Sequence, residues 1–225
     1  MIKELVLIIY VCIFWAQETS SSLHNHQMHR AAQIGDMQII RESNLTDQTG
    51  INWAIECAAA NGQTDVLRAL ISSKMHSLYP DQYGINISLM RAASYGDIEI
   101  VKYLTQHSTK QIPLPDQIGI NWAISESSRA GNFEIVKYLL EHQFENIPYP
   151  DQKGINDAAT HAALEGHLQI FHFLNSHQFK DIPYPDEDTI KELKEEHAHE
   201  NEFVEILLEL LEENNNSFTS RFEEV

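Results

Sequence analysis

"HNHQMH", residues 24–29, sets His24, His26 and His29 within six positions, a density at which imidazoles could share a zinc or copper ion. The alternative reading is a polar first helix at the N-terminal end of the fold. His197 and His199 lie in an acidic segment and read as solvated. His107, His142 and His177 recur every 35 residues. Each falls at the end of an apolar helical pattern, where a helix C-terminus favours a cationic imidazole, so a capping role is expected. "HAALEGH" at 161–167 has the look of a ligand pair but occupies a small-residue and turn segment. No G-x-S-x-G, H-E-x-x-H, P-loop or dinucleotide glycine fingerprint occurs. Neither catalysis nor a cofactor is expected.

What must position these residues is a repeat. "IPYPDQKGIN" at 147–156 is echoed by "IPLPDQIGIN" at 112–121, "LYPDQYGIN" at 78–86 and "DQTGIN" at 47–52. Gly50, Gly84, Gly119 and Gly154 are 34, 35 and 35 residues apart, and 12 residues after each comes Gly62, Gly96, Gly131 or Gly166. Paired small residues precede the second glycine: Ala58-Ala59, Ala92-Ala93, Ser127-Ser128 and Ala162-Ala163. An apolar pattern follows it, as in "DIEIVKYL" and "NFEIVKYLL", and "AAQIGDMQII" from Ala31 to Ile40 fits the same frame around Gly35. A fixed period of this size signals a solenoid of helix pairs.

Within one unit, Asn52, Asn86, Asn121 and Asn156 are expected at the N-cap of a first helix. The second glycine closes that helix in the left-handed region. A second helix then lines up Ile98, Ile100, Val101 and Leu104, or Phe133, Ile135, Val136 and Leu139. The prolines hold the connector extended, and Asp-Gln-x-Gly is expected to turn it into the next helix. Trp53 and Trp122 are expected between helices, and Cys57 as a buried, inert thiol. After Asp186, "DTIKELKEEHAHE" stands for a first helix, and Val204, Ile206, Leu207 and Leu210 repeat the apolar spacing of a second, with a glutamate-rich outer face suited to a terminal cap.

These residues resemble the ankyrin repeat, whose pattern runs Asp-x-x-Gly-x-Thr-Pro-Leu-His, then Ala-Ala-x-x-Gly-His, then a Leu-Glu-Ile-Val-like helix. "AASYGDIEIVKYL" and "AALEGHLQIFHFL" are close to its second half and "DQKG" to its opening. The first half departs from it: Asn-Trp-Ala-Ile stands at 52–55 and 121–124, and the glycines are 12 rather than 11 apart, so the first helix is one residue longer. Prolines stand where finger strands belong, so no regular hairpin is expected. The resemblance covers residues 23–213 and implies an all-α ankyrin-type solenoid of about five helix-turn-helix repeats plus a C-terminal capping repeat. The style is similar to degenerate arrays of intracellular bacteria, large viruses and protists.

The resemblance implies a scaffold that grips a protein partner on its concave face. Carried over position by position, the contact residues are Thr49, Tyr83, Ile118 and Lys153 near each first glycine, and Tyr95, Arg129 and Glu165 before the second, within the pairs Ala60-Asn61, Ser94-Tyr95, Arg129-Ala130 and Leu164-Glu165. Connector residues Tyr79, Leu114, Tyr149 and Tyr184 form a second row. The formal net charge is −18, of which residues 186–225 carry −11, fourteen Asp/Glu against three Lys/Arg. A nucleic-acid partner is therefore excluded, and a partner patch of basic or mixed charge is expected. A monomer is expected, with a self-assembling scaffold as a further alternative.

The ends read differently. Residues 1–16, "MIKELVLIIYVCIFWA", carry about a dozen apolar residues, too few for a membrane span of roughly 20. They are expected to be a signal peptide cleaved after Ala16, followed by a linker at 17–22, which gives a secreted or exported protein acting as an effector or in host interaction. The alternative is an apolar segment that caps the first repeat or anchors at a membrane in a cytoplasmic protein. Cys12 and Cys57 form no disulfide framework. Sequons occur at Asn44, Asn86 and Asn215, and residues 214–225 are expected to be a disordered acidic tail.

Overall fold

Each Asp-Gln-x-Gly-Ile-Asn motif opens a helix, and the aspartate caps it. The computed structural model describes residues 26–42, 47–72, 78–107, 109–142 and 146–197. Its helices are α1 (residues 26–34), α2 (Met37–Glu42), α3 (Gln48–Ala60), α4 (Thr64–Ile71), α5 (Gln82–Tyr95), α6 (Ile98–Gln106), α7 (Gln117–Arg129), α8 (Phe133–Glu141), α9 (Gln152–Leu164), α10 (Leu168–Ser176) and α11 (Glu187–Glu192). A π-helical turn, Leu193–His197, follows. Five helix pairs and the start of a sixth repeat are thus present, and the described residues contain no strand. The proline connectors are extended but form no ladder, as the missing finger residues require. The run 1–16, the linker 17–22, His24, Asn44, His199, the second-helix apolar set from Val204 to Leu210 and the tail 214–225 lie outside the described residues.

The N-caps are Asp47, Asp116, Asp151 and Asp186, not the asparagines. The Asp151 carboxylate accepts from Gly154 N at 3.1 Å, so the helix starts at Gln152, four residues before Asn156. Asp-Gln-x-Gly is therefore the first helical turn rather than a turn into it. The asparagines are freed for another job. Asn121 Nδ2 donates to Asp151 Oδ1 at 2.8 Å, and Asp151 N donates back to Asn121 Oδ1 at 3.2 Å. Asn52 with Asp81 and Asn156 with Asp186 repeat the exchange. Glutamine completes it: Gln117 Nε2 donates to Asn121 Oδ1 and to the Tyr149 carbonyl, and Gln48 and Gln152 do the same to their counterparts. The glycine makes room. A Cβ on Gly154 would lie 2.4 Å from Asn121 Oδ1, and one on Gly84 2.3 Å from Asn52 Oδ1.

A second row of contacts sits at the hinge between paired helices. Gly35, Gly62, Gly96, Gly131 and Gly166 all have positive φ, between 65° and 81°, which an L side chain resists. Asn132 Nδ2, one residue past its glycine, reaches the carbonyls of Ala93 and Ser94. His167 Nε2 meets the carbonyl of Arg129 at 3.0 Å, and Gln63 reaches that of Gln33.

The contacts divide the chain into two compact units, Met1–Ser88 with His107–Pro113 and Leu89–Gln106 with Leu114–Val225. In the first, α3 packs on α4, burying Ile51, Ile55, Leu67 and Leu70. In the second, α7 lies along α9 and each packs on its own second helix, α8 or α10. The small pairs Ser127-Ser128 and Ala162-Ala163 are fully buried there, which permits the close approach. Phe133 meets Phe173 edge to face at 5.3 Å between ring centroids.

His142 and His177 take the C-cap positions expected of them but are buried there, and His107 is half-buried. His142 and His177 end α8 and α10 and stack on Tyr149 and Tyr184 at 4.5 Å between centroids. Each tyrosine hydroxyl donates to the backbone carbonyl of the histidine it covers. Burial pushes the imidazoles of His107, His142 and His177 below their ordinary value of 6.5, and the carbonyls of Pro113, Pro148 and Pro183 only partly oppose it. A C-terminal helix dipole favours a charge only where water can solvate it, and here desolvation wins.

Two outcomes are expected. Gly154→Ala lowers unfolding stability by about 1–3 kcal/mol, and the same change in an Asn121→Ala background costs less, read by urea denaturation. Burial favours the neutral imidazole over the charged one. Its contribution is therefore complete above the unfolded value of 6.5 and is lost as pH falls through the lowered folded values. The melting temperature should fall as the pH drops below the unfolded value of 6.5, and less steeply in a His142→Gln/His177→Gln protein.

Candidate interaction surface

Capping by aspartate fixes the rotational phase of each first helix. Thr49, Tyr83, Ile118 and Lys153 become the second helical residue, and all four are exposed. One helical turn later the same face carries Trp53 on α3 and Trp122 on α7. The tryptophans are not enclosed between helices: Trp53 is 53% and Trp122 38% exposed. Their neighbours Ala54 and Ala123 take the inward position. Position 53 or 122 is offset from the buried Ile51 or Ile120 by two residues, half a helical turn, so an indole there must face outward. The i+4 spacing from Thr49 and Ile118 was the signal available for this. Cys57 is half-buried rather than enclosed.

In the second unit the exposed face of α7 runs from Ile118 through Trp122 and Glu126 to Arg129, and α9 lies beside it with Lys153, Asp157, His161 and Glu165. Charges on it are paired along their own helices. The Arg129 guanidinium donates to Glu126 at 2.8 Å, and Lys153 Nζ lies 2.6 Å from Asp157. Those carboxylates hold both cations more firmly protonated than usual. His161 Nδ1 and Ser125 Oγ share a hydrogen bond of 2.9 Å between α9 and α7. Past α9, a groove of about 560 Å³ is lined by Lys153, Asp157, Thr160, His161, Thr189 and Glu192. Asp186, at the start of α11, is held below the usual carboxylate range by the Thr189 amide and by the Asn156 side chain. Tyr95 is exposed at the end of α5.

In the first unit, Thr49 and Trp53 share a face of α3, and His29 of α1 sits against Trp53 at 5.6 Å. Among the described residues no group of three His, Cys, Asp or Glu is placed to hold a metal ion, and His24 lies outside them. The connector row is different in kind. Tyr79, Leu114 and Tyr149 are half-buried, and Tyr184, although exposed, commits its hydroxyl to His177. No described helix is long and apolar enough to cross a membrane.

A family profile described as ankyrin repeats (3 copies) matches residues 28–116 and 89–186. No curated protein and no solved structure matches the chain.

The two isoleucines of one "IGI" triplet should separate cleanly. Ile120→Ala, at a fully buried position, costs about 2–5 kcal/mol of unfolding stability, whereas Ile118→Ala, on the exposed face, costs less than about 1 kcal/mol, measured by thermal and urea denaturation.

Proposed function

The chain belongs to the ankyrin-repeat family, a family of protein–protein interaction modules, and from that premise we propose that it is a non-catalytic scaffold binding a protein partner on the exposed face of its first helices. The observation that carries this reading is the pair Ile118 and Trp122. Two large apolar side chains stand exposed on one helix face while their helix neighbours Ile120 and Ala123 are buried to 0%. Such exposure costs solubility, and large aromatic side chains of this kind are enriched among interface hot spots.

The chemistry of the partner follows from the charges. Arg129 and Lys153 are already satisfied by Glu126 and Asp157, and Glu165 and Glu192 add negative charge along the same face. A fitting partner offers one apolar side chain for the Ile118–Trp122 site and a patch of basic or mixed charge around it. A stable complex would bury roughly 1,600 Å² in total. The exported or effector setting rests on the apolar run 1–16 alone and adds nothing to this surface.

The test is affinity capture followed by a binding titration. A protein carrying Ile118→Ala, Trp122→Ala and Arg129→Ala should keep its helical circular dichroism. It should lose at least about tenfold in affinity for the protein the intact chain captures. Equal recovery of every captured protein by the two forms would remove this face from the function.

A further inference from the structure

The first described repeat has a defect that the later ones lack. Four residues after the hinge glycine, the repeats carry Val66, Ile100, Ile135 and Ile170, each 0–1% exposed. The equivalent residue of the first repeat is Ile39, and it is 40% exposed. No described repeat precedes this one, and its uncovered side is the one that carries Ile34 and Ile39. That side forms an apolar groove of about 580 Å³, floored by Met28, Ala31, Ile34 and Ile39 and rimmed by Arg30 and Glu42. Ile34 is itself 62% exposed. A stacked array leaves such a face only where something else closes it.

We propose that the apolar run Leu5–Ala16 of this same chain docks in the groove and closes the outer face of the first described repeat. Three observations choose this occupant. The run is twelve apolar residues without a charge, and it precedes the groove directly in sequence. Residues 17–25 join the two and can reach about 30 Å when extended, well beyond the roughly 13 Å length of α1. Lys3 and Glu4 just before the run bring one charge of each sign to a rim that also carries one of each. The run is too short to compete by spanning a bilayer. Docking and removal as a leader are mutually exclusive, so the proposal commits the run to the mature protein. It is independent of the binding face on α7 and α9.

Cys12 lies inside the run and serves as a probe of docking. Alkylation by iodoacetamide, followed by mass spectrometry with Cys57 as the internal reference, should be about tenfold slower at Cys12 in the full chain than in an Ile39→Glu variant. Because Ile39→Glu could disturb α2, an Ile8→Glu variant provides the second arm: it changes no residue of the repeats and should free Cys12 equally. Protection should not vary with protein concentration. Equal Cys12 rates in all three proteins would overturn the proposal. So would protection that appears only with dimer formation in sedimentation, or only with phosphatidylcholine vesicles. Recovery of the chain from a secreting bacterium with Gln17 as its first residue would also overturn it.

Discussion

An asparagine in one repeat and an aspartate in the next exchange two hydrogen bonds, and the rest of the architecture is arranged around that exchange. The aspartate must cap its own helix and accept the foreign amide with the same carboxylate, as Asp151 does from Gly154 N and Asn121 Nδ2. The glycine must be bare because the asparagine occupies the space a Cβ would need. The glutamine ties the asparagine to the following connector carbonyl, and the isoleucine between them is buried. Five of the six motif positions are thereby committed. Only the residue between Gln and Gly is free, and it is the one that varies: Thr49, Tyr83, Ile118, Lys153.

A polar ladder of this sort suits a fold whose stacked faces are otherwise apolar and of nearly uniform width. Hydrophobic contact between helices is non-directional and tolerates slippage, whereas two reciprocal hydrogen bonds at fixed spacing set register. The hinge row, with Asn132 and His167 reaching back across the same distance in the chain, holds the other end of each first helix. With both ends pinned, the outward face between them carries few of the contacts that hold neighbouring helices, the Ser125–His161 hydrogen bond among them. Ile118 and Trp122 stand exposed on that face. The connectors are pinned as well, by a neutral histidine beneath a tyrosine ring, which removes Tyr149 and Tyr184 from the freely adaptable surface.

Much of this was legible in the residues. Glycine spacing and apolar stripes located the helix pairs, and the positive φ at Gly62, Gly96, Gly131 and Gly166 follows from their place after the small-residue pairs. The helix start was misplaced because Asp and Asn are comparable caps and only the partner in the next repeat distinguishes them. That information is non-local. For His142 and His177 the helix-end position is the expected one, but burial beneath a tyrosine seven residues on disfavours the charge that position favours. Moving the helix start to Gln117 also moves Trp122 from the packed face to the open one. One correction therefore accounts for two errors, and the seven positions carried over from the family pattern on the first helices, Thr49, Tyr83, Tyr95, Ile118, Arg129, Lys153 and Glu165, are exposed.

The reciprocal pair itself can be measured most directly by a double-mutant cycle on Asn121 and Asp151. Urea unfolding of Asn121→Ala, Asp151→Ala and the double variant cancels the loss of the Asp151 helix cap and isolates the exchange between repeats. The account calls for a coupling of about 1–2 kcal/mol. Strict additivity of the two single changes would mean that the repeats find their register without the ladder.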